Sequence, residues 1–250
     1  HSPEEAIFKG FYPRIYDRKI NPTDWYPVYV QTYLERDVRM IKNVGDLNLF
    51  QRFLKMCAAR TGQLLNLSSL AHDCGVTHNT ARSWIGILEA SFIIYLIQPY
   101  HRNFNKRLIK APKIFFYDAG LVCSLMGIEN KKQVGAHPLR GHLFETLVMS
   151  ELLKSRFNRG LAPNFYFWRD KTGNEVDCLI EKAGETVAVE MKSSETLTSD
   201  SFKGLHYWGK LSRTKPPKSF LVYAGREVEP RRLGTVVSWN SMDVITRSIV

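Results

Sequence analysis

Two short segments, Asn174-Glu175-Val176-Asp177 and Val189-Glu190-Met191-Lys192, limit what this chain can fold into more than any other stretch. Between them, Lys182-Ala183-Gly184-Glu185 carries a turn signature, so the segments read as neighbouring strands of a hairpin. Side chains alternate faces along a strand, which puts Glu190 and Lys192 on one face, with Asp177 projecting beside them from the paired strand. Two carboxylates and an ammonium at one sheet edge are costly unless a cation shares the place. A magnesium-dependent phosphodiester hydrolase needs this set: carboxylates for the hard ion, and a lysine to orient or deprotonate the attacking water. Carboxylates this close raise each other's pKa when no metal is present. Glu175 is a rival ligand, because the same alternation places it on the face of Asp177.

A chain of 250 residues with 44% hydrophobic and 12% aromatic content can build one large core or two modest ones. Thirty-five Lys and Arg against 24 Asp and Glu give a net charge of +11, which favours an anionic partner such as nucleic acid. Cys57, Cys74, Cys123 and Cys178 are scattered and form no C-x-x-C pair. They read mostly as core in a reducing, cytoplasmic compartment and argue against structural zinc. The longest apolar run, Phe92 to Ile97, is strand-sized, so no membrane span is expected. The first residues are His-Ser-Pro without a signal peptide, which reads as a fragment or a processed chain.

Along the chain, residues 1–60 read as a helical segment after a start punctuated by Pro13, Pro22 and Pro27. Tyr29, Tyr33, Leu34, Val38 and Ile41 form one helical stripe. Leu49, Phe50, Phe53, Leu54 and Cys57 form a second on a helix over 47–60. Residues 61–135 contain a short helix capped by Ser68 and ending at Cys74, a Gly75-Val76 turn, and a helix capped by Thr77. Ala81, Trp84, Ile85 and Leu88 face inward on that second helix. A strand over 92–97, a return strand over 113–117 and the basic loop between them complete a winged helix-turn-helix pattern. Outward His78, Asn79, Arg82 and Ser83, with Arg102, Lys106, Arg107 and Lys110 of the wing, are the candidate nucleic-acid contacts. Gly127, Lys131-Lys132, Gly135 and Pro138 read as a linker. Residues 136–250 then give helix, three strands, helix, strand, with Glu145 on the first helix.

Gly204-Leu-His-Tyr-Trp-Gly209-Lys210 imitates a phosphate loop, but Leu211 stands where Ser or Thr would meet magnesium and the interior is aromatic. Trp84, Trp168 and Trp208 read as core. Neither a zinc-protease motif nor a serine-nucleophile elbow is present.

The third block resembles the PD-(D/E)XK nuclease-like fold. On that resemblance Asp177 is the acidic residue, Glu190 the second carboxylate, Lys192 the lysine and Glu145 the upstream helical glutamate. Val176 replaces the eponymous proline. The whole chain resembles the C-terminal part of a prokaryotic family of AAA+-type ATPases that carry a winged helix and a C-terminal nuclease-like domain. The carriers are Gly10-Phe11-Tyr12-Pro13-Arg14, Tyr33-Leu34-Glu35-Arg36-Asp37-Val38, the run from Lys113 to Leu121, Gly141-His142-Leu143-Phe144-Glu145, and the Asp177/Glu190/Lys192 set. The resemblance implies an α+β (α/β) architecture in which a restriction-endonuclease-like α-βββ-α-β domain follows the winged helix. It implies Mg²⁺ or Mn²⁺ at Asp177, Glu190 and Glu145. ATP enters only in a longer protein, since this chain has no Walker motif. Two function classes stay open, a metal-dependent nuclease and a non-catalytic nucleic-acid or protein-interaction module. The oligomeric state stays open too.

Overall fold

A computed structural model describes residues 2–38, 44–100, 109–182, 184–212 and 219–248. The chain divides into two compact units, His1–Leu96 with Lys113–Leu147, and Ile97–Pro112 with Val148–Val250. Ile41 and Lys218, and the wing residues Arg102, Lys106 and Arg107, lie outside the described residues.

The first unit is helical. It holds α1 (Pro3–Lys9), α2 (Pro13–Asp17), α3 (Pro22–Tyr33) with a π turn over Leu34–Val38, α4 (Leu47–Ala58), α5 (Leu67–Cys74) and α6 (His78–Ala90). The first half of β1 (Ile94–Pro99) follows, with β2 (Lys113–Phe116) beside it. Then come α7 (Ala119–Leu125), α8 (Lys131–Ala136) and the opening turns of α9 (Arg140–Phe157). Proline occupies the first turn of α1, α2 and α3, where its missing N–H costs nothing. Side chains of Asp46, Asn66, Thr77, Asp118 and Asn130 accept backbone N–H groups at five later N-termini. Asn66, and not Ser68, therefore caps α5. The stretch expected as a linker contains α8, because Asn130 caps it and Val134 is buried. Phe50 and Phe53 of α4 meet Trp84 of α6 edge-on at 5.1 and 5.3 Å, and this aromatic trio anchors the helical core. Cys57, Cys74 and Cys123 are buried here.

One buried carboxylate ties this unit together. Asp118 Oδ1 accepts from Tyr26 Oη at 2.6 Å and from Leu121 N at 2.9 Å, and its Oδ2 accepts from Phe11 N at 2.6 Å. Tyr26 Oη lies 2.9 Å from the Lys9 carbonyl. A Cβ at Gly10 would collide with Tyr26 and Asp118, and one at Gly120 with Tyr26 and the Gly10 nitrogen. Gly10 also sits at φ 62°, so glycine is required there twice over. The Gly10-to-Arg14 and Lys113-to-Leu121 runs are thus one interlocked structure. Burial, reinforced by the Asp118 charge, drives the Tyr26 phenol far above its ordinary pKa.

α5 and α6 end in the same backbone motif with different residues. After α5, Gly75 takes φ 71°, with Gly75 N donating to His72 O and Val76 N to Ala71 O, both at 3.0 Å. After α6 the matching bonds run from Phe92 N to Glu89 O and from Ile93 N to Leu88 O, at 3.1 and 3.0 Å. Phe92 therefore holds the left-handed position at φ 56°, which costs a non-glycine residue roughly 1–2 kcal/mol. The strand expected from residue 92 starts at Ile94 for this reason.

The second unit is a mixed sheet with helices. It contains the end of β1, the rest of α9, β3 (Phe165–Arg169), β4 (Glu175–Lys182), β5 (Glu185–Lys192), a 3₁₀ turn over Ser199–Phe202 and α10 (Lys203–Ser212). β6 (Ser219–Tyr223), β7 (Glu229–Arg231), β8 (Gly234–Ser238) and α11 (Asp243–Thr246) complete it. The strand order is β1-β3-β4-β5-β6-β8-β7. β3-β4-β5 is an antiparallel meander, β6 runs parallel to β5, and β8 runs parallel to β6. Val176, Leu179, Ala188 and Leu221 of the sheet pack with Leu205 and Trp208 of α10. Trp84, Trp168 and Trp208 are all buried, as their apolar contexts predicted. The false phosphate loop is helix α10.

Candidate functional site

Asp177, Glu190 and Lys192 gather where β4 and β5 end their pairing. The ladder runs from Lys182 opposite Glu185 to Cys178 opposite Val189. One residue beyond it, Asp177 Oδ2 accepts the N–H of Met191 at 2.8 Å. That bond aims the Asp177 carboxylate at the strand carrying Glu190. Glu190 is held between β4 and β6, with its backbone paired opposite Leu221, and is only 6% exposed. Its Oε1 accepts from Lys192 Nζ at 2.7 Å. Its Oε2 is buried and has no hydrogen-bond partner among the described residues. Helix α10 covers that oxygen. A Cβ at Gly204 would come within 2.5 Å of both Oε2 and the Glu175 carbonyl, so only glycine lets the helix approach this closely.

Burial first, and then the Asp177 charge, push the Glu190 carboxyl up to about 8, against the opposing pull of Lys192. Glu175 lies on the face of Asp177 as alternation predicted, but its carboxylate is 3.5 Å from Arg169 Nη1 on β3. Glu145 belongs to the first unit, where its Oε2 is 3.6 Å from His142 Nδ1 and close to the position a Gly62 side chain would take. Among the described residues, no three His, Cys, Asp or Glu side chains converge as a metal-holding group.

Sequence reasoning missed the residues that hold α10 in place. Asp170, read only as part of a turn, accepts at Oδ1 from Thr172 N, Thr172 Oγ1 and Asn174 N at 2.7–3.0 Å. Its Oδ2 accepts from Asn174 Nδ2 at 3.0 Å and from Tyr207 Oη of α10 at 3.2 Å. Burial raises the Asp170 pKa, but the hydrogen bonds from Asn174 and Thr172 outweigh it and hold the carboxyl near 2. The Asp-x-Thr-x-Asn spacing was the available signal, since an Asp side chain that bonds the backbone two residues on is a recurrent turn device.

On α6 of the first unit, His78, Asn79 and Arg82 are exposed and Ser83 is half-buried. Thr77 fixes the start of that helix by accepting from Thr80 N at 3.1 Å. Gly86 continues the open surface, with no atom within 4 Å of where its side chain would be. Lys110, in the second unit, is exposed. Among the described residues no helix is long and apolar enough to cross a membrane.

Comparison with known proteins adds kinship without chemistry. A family model described as a domain of unknown function, DUF4143, matches residues 140–242. Uncharacterized proteins of Mycobacterium bovis and Mycobacterium tuberculosis are each 30% identical to this chain over 173 residues. The match takes in 69% of this chain and 38% of each relative, so the chain spans well under two thirds of their length. No solved structure matches. A second family model, described as the domain of unknown function DUF8612, matches residues 1–132, more than half of the chain, and the protein belongs to that family.

Proposed function

We propose that the second unit carries a Mg²⁺- or Mn²⁺-dependent phosphodiester-cleaving site of the PD-(D/E)XK type, and that α5 and α6 are the core of a winged helix that engages DNA. The supporting observation is Glu190, a carboxylate almost wholly buried beside a second carboxylate and a lysine, with one oxygen unpartnered. A protein interior seldom keeps such a group without a use for it. Asp177 and Glu190 suit a magnesium ion, which keeps several waters and takes one or two carboxylates plus substrate phosphate oxygens. A third protein ligand is not needed for that. When bound, the ion would lower the pKa of a coordinated water and neutralise charge building on the phosphate.

The chain's own residues have defined tasks in this reading. The Met191 N–H orients Asp177. Glu190 is fixed by its place between two strands and by the glycine that lets α10 close over it. Lys192 leaves Glu190 Oε1 to hold the attacking water or a phosphate oxygen. Glu145 fills the fourth position of the resemblance as a ligand through water. His78, Asn79, Arg82, Ser83 and Lys110 supply contacts to bases and phosphates, joined by Arg102, Lys106 and Arg107. The mycobacterial relatives are longer than the matched region, which leaves room in such proteins for the ATPase module that the resemblance implies. ATP and that module are accordingly the proposed driver and partner.

One observation favours a second reading, a non-catalytic nucleic-acid or protein-interaction module. α10 seals Glu190 Oε2, and no three metal-ligating side chains converge among the described residues. Cleavage of supercoiled plasmid and single-stranded DNA with Mg²⁺ or Mn²⁺, wild type beside Lys192→Ala, separates the two. Metal-dependent cleavage lost in the variant supports the nuclease. Salt-sensitive DNA binding without cleavage supports the module.

A further inference from the structure

The first unit contains both an exposed aromatic that its own fold does not need and an apolar hole of matching size. Phe92 is 67% exposed, and its ring touches only the edge of the unit at Tyr117, 5.8 Å between centroids. It occupies the left-handed position that Gly75 fills in the equivalent motif after α5. A phenylalanine there is unfavourable in two ways, since the backbone is strained and a large apolar ring faces water. Neither burial nor a cap explains the choice. Elsewhere on the same unit lies a cavity of about 170 Å³ walled by Phe8, Pro22, Pro27 and Ile128, with Thr23 and Ser124 also on its lining. An apolar cavity of roughly 150 Å³ is enough to hold benzene, so the ring of a phenylalanine fits. Phe92 is not part of that wall, and the two backbone bonds of the cap fix it in place, so the ring can enter such a cavity only on another molecule.

We propose that the protein self-associates by inserting Phe92 of one copy into the Phe8/Pro22/Pro27/Ile128 cavity of another. Knob and hole are different patches on one surface, so the contact is heterologous unless a twofold axis pairs it with its reciprocal. This inference stands apart from the nuclease reading and uses none of its residues.

Sedimentation velocity on the whole chain, from low-micromolar to near-millimolar concentration, tests it. Wild type should sediment faster as concentration rises. Phe92→Gly should associate at least about tenfold more weakly, the loss typical of truncating a buried interface aromatic. The same variant should melt no lower than wild type, because glycine suits the backbone at that position. Thr23→Arg, which crowds the cavity, should also stay monomeric. An equimolar mixture of the two variants, one supplying the hole and the other the knob, should regain association that neither shows alone. A wild type that is monomeric throughout would overturn the proposal. So would a Phe92→Gly protein that associates like wild type, or a mixture with no gain.

Discussion

Asp118 in the first unit and Glu190 in the second are both buried carboxylates, and the fold treats them in opposite ways. Asp118 accepts three hydrogen bonds from a tyrosine and two backbone N–H groups, so both of its oxygens are engaged. Glu190 has Lys192 on one oxygen and the bare face of Gly204 against the other. A carboxylate saturated by its own chain is a structural fastener, and removing it strands its donors. A carboxylate left short of partners beside another negative charge costs stability, and that cost is the mark of a group kept for binding. Asp170 belongs with Asp118, because its own turn and Tyr207 satisfy it.

The largest expected effect is on the fastener. Asp118→Ala should destabilise the protein by roughly 3–5 kcal/mol, because Tyr26 Oη and the N–H groups of Phe11 and Leu121 all lose their acceptor in a dry site. Denaturant unfolding would measure it, and a loss under about 1 kcal/mol would break the contrast.

The next effect has the opposite sign. Glu190 keeps its proton up to about pH 8 when folded and releases it near 4.5 when unfolded, so stability should fall as pH rises between those values. Glu190→Gln removes the titrating group. It should be about as stable as wild type near pH 4.5 and more stable at pH 8, by something on the order of 3 kcal/mol. Parallel melting curves for the two proteins across that range would contradict the site.

Metal should reverse this penalty. Mg²⁺ or Mn²⁺ competes with the Glu190 proton, so the rise in Tm on adding metal should be larger at pH 8 than at pH 6 and absent in Glu190→Gln. The smallest effect concerns the acid limb. Asp170, depressed to about 2 when folded, contributes stability that is complete above its ordinary value of 3.8 and lost as pH falls through 2. Asp170→Asn should flatten that limb, at a cost of about 1–3 kcal/mol near neutrality from mismatched hydrogen bonds. An unchanged acid midpoint would remove Asp170 from the fasteners.

How much of this contrast was legible beforehand depends on the range of each interaction. The hairpin carrying Asp177, Glu190 and Lys192 was readable because alternation and turn composition are local rules, and valines on both strands obey them. Thr77 as a cap and the buried faces of α4 and α6 followed from helical spacing in the same way. Asn66 was missed because two capping residues, Asn66 and Ser68, stood within one turn of each other. α8 was taken for a linker because its lysines and Gly135 hide the one residue, Val134, that it buries. Phe92 in a glycine position contradicts local propensity, and such contradictions show only in the backbone. The Asp118 fastener joins residues 107 positions apart along the chain, which no pattern rule spans. The Gly204 approach to Glu190 likewise depends on a helix packing onto two strands.

The most direct test of the contrast is Mn²⁺ binding at pH 8, followed by electron paramagnetic resonance, for wild type, Glu190→Gln and Asp118→Asn. Binding by wild type and by any Asp118→Asn protein that folds, with loss in Glu190→Gln, is the predicted result. Equal Mn²⁺ uptake by wild type and Glu190→Gln, or none by either, would mean that the under-satisfied carboxylate is not a metal ligand.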